Sequence, residues 1–270
     1  MTAAAGGALA GHTIVAVFAH PDDEALACGG TLARAADAGA RVVLVCASRG
    51  ELGSVSDPAL VPQGDVAAAR AAELLESARV LGAAEVVQLG HADGCLRWAD
   101  ALDADLVAVL VRERPDAVIT FDADGLYWHD DHIGVHERTS AAVAALDATP
   151  GARVLALYYV SLAPGVIRTI VDAAHARGGA RDGGGLWGIS PDAFGVATPA
   201  PTLTLDVRPW LPRKLAAIRC HRTQVGAGSP FLWLDENDAL RLLACEQFRR
   251  AYVDGEAEAV LERLEQGVDA

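Results

Sequence analysis

Thr13-Ile-Val-Ala-Val-Phe-Ala19, running directly into His20-Pro-Asp-Asp-Glu24, is the stretch that decides the fold. A continuous apolar run rich in β-branched residues suits a strand covered on both faces. Its abrupt end in an imidazole and three carboxylates puts chemistry at the strand's carboxyl end. Working outward, a helical stretch is expected over about Gly30–Ala38, stopped at Gly39, followed by a second strand, Arg41-Val-Val-Leu-Val-Cys-Ala47. Strand, loop, helix, strand is the βαβ unit and implies parallel strands. The pattern repeats through helix Val66–Leu81, strand Glu85–Leu89, helix Ala101–Arg114 and strand Asp116–Phe121. Helix Asp131–Leu146, strand Arg153–Val160 and a helix to about Ala176 follow. Beyond them lie a glycine-rich stretch, 177–188, expected to be a mobile surface loop, and a strand candidate, Thr202–Val207. Two last helices are expected near Pro212–Thr223 and Asn237–Val253. The fold class read from this order is α/β, a Rossmann-like three-layer sandwich with a mostly parallel sheet and an irregular C-terminal third. Residues 1–270 are taken as one domain, with 1–12 flexible.

Composition narrows the partners. The chain has 270 residues, 22 Lys+Arg against 36 Asp+Glu and a formal charge of −14, so it offers no electrostatic footprint for nucleic acid or an anionic membrane surface. No apolar stretch approaches the ~18–20 residues of a membrane span, and no basic segment precedes a hydrophobic one at the start. Five scattered cysteines form no CxxC pair, which argues against a cysteine zinc ribbon or a disulfide framework. The expected setting is the cytoplasm. Lys214 is the only lysine, so a phosphate-gripping P-loop is excluded, and no Gly-x-Gly-x-x-Gly fingerprint follows the first strand. The expected partner is a small molecule, and the sequence leaves self-association open, a homo-oligomer included.

In open parallel sheets, ligands bind beyond the carboxyl ends of the strands, where strand order reverses. His20, Asp22, Asp23 and Glu24 stand at such an end around a proline that fixes one backbone angle. Alone, these acids would suit a solvated loop or a cap on the next helix. A second cluster, Tyr127-Trp-His-Asp-Asp-His-Ile-Gly-Val-His136, follows the fourth strand and so lies at the same end of the sheet. Imidazole nitrogen and carboxylate oxygen are ordinary zinc ligands, and the ion offsets the mutual repulsion of the acids. His20 and Asp23 with one histidine of the second cluster would give three ligands and an open position, the mark of a catalytic rather than a structural zinc. His132 and His136 stand four apart on one helical face, so spacing admits either.

The chain resembles the LmbE-like, PIG-L-type family of metal-dependent N-acetylglucosaminyl deacetylases. The resemblance rests on Ala19-His-Pro-Asp-Asp-Glu24 and on His129-Asp-Asp-His132, where Asp130 stands in place of the family's proline. Arg70-Ala-Ala-Glu73, Leu89-Gly-His-Ala-Asp-Gly94 and Lys214 to Gln224, with its His221-Arg-Thr-Gln224, extend it over about residues 13–250. Tyr127 and Arg70 bring the chain nearest to the mycothiol-pathway deacetylase and amidase members. The resemblance implies a Zn2+ cofactor held by His20, Asp23 and His132. It implies Asp22 as general base and His129 as the group that stabilises the oxyanion, oriented by Asp131. Tyr127 would close over the acyl group, and Arg70 and Asp93 would hold sugar hydroxyls or a phosphate. His136 is read as a supporting or surface residue, His221 as a residue of the pocket wall, and Glu24 and Glu51 as supporting groups or surface acids. The implied activity is removal of an N-acetyl group from an N-acetylglucosamine-type sugar conjugate. The rivals are an amidase cleaving a mycothiol-like thiol conjugate and a binder that does not hydrolyse.

Overall fold

A computed structural model describes residues 7–61, 63–147, 154, 156–179, 186, 188–197, 199–226, 228–253 and 260–267. Strands β1 (Thr13–Phe18), β2 (Arg41–Ser48), β3 (Glu85–His91), β4 (Ala117–Phe121) and β5 (Ala156–Ser161) pair in parallel. Two more, β6 (Leu203–Asp206) and β7 (Cys245–Val253), complete a sheet ordered β3-β2-β1-β4-β5-β7-β6, in which β7 is antiparallel to both of its neighbours. The helices are α1 (Asp23–Asp37), α2 (Val66–Leu81), α3 (Ala101–Glu113), the single turn α4 (Gly125–Trp128), α5 (Asp130–Asp147), α6 (Val166–Ala176), α7 (Leu211–Cys220) and α8 (Glu236–Leu243). Helices α1, α2 and α7 pack together, as do α3 and α5, and right-handed crossovers place the two groups on opposite faces of the sheet. The expected Rossmann-like sandwich is therefore present. Among the described residues no helix is long and apolar enough to cross a membrane.

Strand order reverses at β1: the chain moves out to β2 and β3 on one side, then returns to β4 and β5 on the other. The crevice belongs at the carboxyl ends of β1 and β4. Ile14 to Phe18 and all of β4 are buried, and Phe18 meets Phe121 edge-on with ring centroids 5.1 Å apart, which seals the floor beneath that crevice.

The C-terminal third departs from the sequence reading. The helix expected over Asn237–Val253 ends at Leu243, and β7 takes the rest. Inward positions 246 and 248 alternate with more exposed neighbours, but the first of them is Glu246, and a carboxylate at a core position hides the period-two signal. Its burial is explained by α1, which begins at Asp23 rather than near Gly30 and is broken at Cys28, where φ is −150°. A helix restarting after a break has amide groups with no partner in the preceding turn. Glu246 accepts from the N–H of Gly30 at 2.9 Å and of Thr31 at 2.6 Å, and Lys214 Nζ neutralises it at 2.6 Å. Glu246→Ala would leave the Lys214 ammonium and two amides without this partner, and should cost about 3–5 kcal/mol, measured as a fall in unfolding free energy in denaturant. The expected strand start at Arg153, residues 180–185 and 187 of the glycine-rich loop, and residues 1–6 lie outside the described residues.

Candidate active site

Three acceptors converge at the carboxyl end of β1. His132 Nδ1 lies 3.0 Å from the Gly125 carbonyl, which can only accept, so its proton sits there and Nε2 presents a lone pair. Gly125 has φ +54°, and a Cβ on it would stand 2.9 Å from His132 Cβ, so the turn that supplies this carbonyl requires glycine. His20 Nε2 faces Asp131 Oδ2 at 3.1 Å and Asp93 Oδ1 at 3.0 Å, which places its proton on that side and a lone pair on Nδ1. His20 Nδ1 and His132 Nε2 are 3.3 Å apart; Asp23 Oδ1 lies 3.3 Å from the latter and Oδ2 3.5 Å from the former. Tetrahedral ligands at zinc–nitrogen distances of about 2.0–2.1 Å stand roughly 3.4 Å from one another. Two lone pairs and a carboxylate repel unless a cation joins them, so this donor set fits a divalent metal. His20, His129 and Asp131 also gather within 4.8 Å, but there His20 Nε2 is already spent on the carboxylate.

The surroundings favour positive charge at this point. Burial pushes the His20 pKa down, but hydrogen bonds to Asp131, Asp23 and Asp93 outweigh it and hold the value well above ordinary. Asp23 is held well below the usual carboxylate range despite its burial, by His132 and His20. Burial pushes His132 down to about 3, with Asp23 opposing.

Beside the trio, Asp22 heads α1 with φ 125° and ψ −28°, a backbone state that L residues rarely adopt and that costs about 1–3 kcal/mol. Its N–H donates to Glu24 Oε2 at 3.0 Å, and its carboxylate lies 3.3 Å from Arg70 Nη2. Burial raises its pKa to about 6, with Arg70 opposing and Asp23 adding to the rise. Helix α2 supplies the support: Arg70, Glu73 and Ser77 stand at i, i+3 and i+7, all buried on one face. Arg70 also donates to the carbonyls of Gly50 at 2.8 Å and Pro21 at 2.7 Å. Glu73 accepts from the Thr223 N–H at 2.9 Å and its hydroxyl at 2.6 Å. Ser77 donates to Glu24 Oε1 at 2.6 Å, where His221 Nε2 also approaches to 2.7 Å. Burial works against charge on His221, but Glu24 raises its pKa above the ordinary value.

Other candidate residues gather around the same point, some with partners that the sequence did not suggest. A polar cavity of about 370 Å³ has His20, Asp22, Asp23, Arg70, Asp93 and His129 in its wall. Asp93 accepts from the Leu52 N–H at 2.9 Å as well as facing His20, and its pKa is lowered to about 2, His20 prevailing over burial. The Asp131 carboxylate, expected to orient His129, instead bonds His20 and the N–H groups of Gly94 at 2.7 Å and Leu96 at 2.9 Å. Its backbone N–H donates to His129 Nδ1 at 3.2 Å, leaving the ring's proton on Nε2. Burial, aided by His20, lowers the His129 pKa. Tyr127 lies 5.7 Å from His129 and 5.2 Å from His132, ring to ring. Asp130 is a surface residue paired with Arg97 at 2.8 Å, well suited to the first turn of α5.

His136 takes no part in the trio: its Nδ1 lies 2.9 Å from the Phe121 carbonyl and its ring rests on Tyr159. His221 is not in the polar cavity's wall; it is buried behind Glu24. Glu51 accepts from the Asp93 N–H at 2.9 Å. The joining of Glu24, Ser77 and His221 into one buried cluster, and the place of Gln224 in the cavity wall, are contributions that the sequence did not announce. Only the closeness of His221 and Gln224 within one motif hinted at them.

Similarity to known proteins agrees with this picture. The family profile PIG-L, described as GlcNAc-PI de-N-acetylase, matches residues 15–143. A 1D-myo-inositol 2-acetamido-2-deoxy-alpha-D-glucopyranoside deacetylase of Thermobispora bispora is 31% identical over 271 residues, covering 89% of this chain and 88% of its own. N,N'-diacetylchitobiose deacetylase from Pyrococcus horikoshii, solved with an inhibitor, aligns with a TM-score of 0.62 and 26% identity over 88% of this chain and 83% of its own. The 4-carboxy-2-hydroxymuconate hydratase GalB of Pseudomonas putida KT2440 aligns with a TM-score of 0.65 at 19% identity, over 92% of this chain and 99% of its own, a likeness of fold alone. Fold and similarity together place the chain in a class of α/β-sandwich proteins among whose named relatives are N-deacetylases. The chain belongs to the PIG-L family.

Proposed function

We propose that this protein is a cytoplasmic, zinc-dependent deacetylase that cleaves the acetamide of an N-acetylglucosamine-type sugar conjugate. The observation that carries the reading is that His20, Asp23, the strained Asp22 and His129 share the wall of one polar cavity, while His132 completes the donor trio within 4.8 Å of His20 and Asp23. His20, Asp23 and His132 would hold a Zn2+, which when bound would supply Lewis acidity for activating water and polarising an amide carbonyl. Asp22, fixed by Arg70 and by Glu24, takes the proton of the attacking water. His129, whose Nε2 carries the proton, donates to the oxyanion that forms on the carbonyl oxygen. An amine does not leave as an anion, so the proton gained by Asp22, or that on His129, passes to the nitrogen as the C–N bond breaks. Acetate and a free amino sugar result. Asp93 and Arg70 hold sugar hydroxyls, while Asp131 and Asp93 together fix the ring of His20. Tyr127 covers the acyl side. The five free cysteines fit a reducing compartment.

The direct test is incubation of zinc-loaded protein with N-acetylglucosaminyl-inositol, following acetate and free amine together. Equal release of both is expected. Recovery of intact substrate from metal-replete protein would refute the reading.

A further inference from the structure

A second cavity, of about 230 Å³, shares Tyr127 with the polar one. Asp23 and Tyr127 line both this cavity and the polar one, so the two chambers meet at the proposed reaction centre. Their walls differ in chemistry. The second is built from Leu26 and Ala27 of α1, Leu126, Val166 and Ile170 of α6, and Phe231. The charged groups at its far end neutralise one another: Lys214 and Glu246 pair at 2.6 Å, and Arg241 pairs with Asp238 at 3.1 Å. An occupant therefore gains nothing from carrying charge. Tyr127, common to both walls, is backed by Phe194 with ring centroids 4.6 Å apart, and the Gly195 N–H fixes the Leu126 carbonyl at 3.0 Å.

An amide has two arms. If its carbonyl lies against Asp22 and the metal donors and its sugar fills the polar cavity, its acyl arm points toward the apolar one. A methyl group fills little of that space, for one water already occupies about 30 Å³ of liquid. Building on the deacetylase reading, we propose that the apolar chamber is an acyl subsite, and that the preferred substrates are N-acyl amino-sugar conjugates whose uncharged alkyl chain is longer than acetyl. Hydrolysis then releases the corresponding alkanoate and the same free amine.

Binding is measured on the metal-loaded Asp22→Asn protein, where turnover does not interfere, by calorimetry with N-acetyl- and N-butyryl-glucosaminyl-inositol. Each methylene moved from water to an apolar wall favours binding by roughly fourfold, so the butyryl compound, with two more, should bind about fifteenfold more tightly. Equal or weaker binding of the butyryl compound overturns the proposal. Ala27→Phe and Val166→Phe, filling the chamber from two different helices, should each erase the butyryl advantage and leave acetyl binding unchanged. Survival of the advantage in both variants also overturns it. Acetate release by the wild-type protein is scored separately. Its absence alongside an intact butyryl preference would remove the deacetylase reading and leave the subsite standing, whereas acetate release without the preference removes the subsite alone.

Discussion

The Asp22→Asn protein is expected to bind metal at the wild-type level and to lose roughly 10²–10⁴-fold in kcat, the usual contribution of a positioned general base. Asparagine has the same shape, so the strained turn at the head of α1 and the contact with Arg70 at 3.3 Å can persist. What disappears is the capacity to accept a proton. The metal donors are on other side chains, His20, Asp23 and His132, so metal content separates loss of the base from collapse of the centre. Atomic absorption and steady-state kinetics on the same preparation make the comparison. Wild-type turnover in this variant would remove Asp22 from the role.

Stripping the divalent ion with a chelator is expected to abolish turnover, and added zinc to restore it. The same treatment should lower the melting temperature. A cation that binds only the folded chain stabilises it by about 2.7 kcal/mol when present at a hundredfold over its Kd, and its removal also exposes the repulsion among His20 Nδ1, His132 Nε2 and the Asp23 carboxylate, which stand 3.3–3.5 Å apart. Calorimetric scans with and without chelator measure the second effect and activity the first. Undiminished turnover in metal-free protein would contradict the assignment of these residues as zinc ligands.

The parallel half of the fold was legible because its strands are continuous apolar runs whose turns carry helix stops such as Gly82 and Pro115. The two His/Asp clusters were legible for a related reason: topology alone puts the ends of β1 and β4 together. Beyond that, local pattern fails wherever a contact distant in sequence decides the structure. β7 was hidden by Glu246, whose burial makes sense only once Lys214 and the broken helix α1 face it. Asp131 was assigned to its neighbour His129, yet its carboxylate reaches His20, 111 residues away. His221 likewise finds Glu24 across 197 residues, a pairing that no spacing rule announces.

The three anchors on α2 are also a matter of phase. Each residue turns a helix by about 100°, so one amino acid inserted between Val66 and Arg70 would carry Arg70, Glu73 and Ser77 away from Asp22, Thr223 and Glu24 together. Changes in chain length across the preceding surface stretch need not disturb that alignment, but changes within the helix must come in whole turns. The spacing of Arg70, Glu73 and Ser77 thus acts as a reading frame for the site, one that tolerates substitution on its outer face far better than any shift.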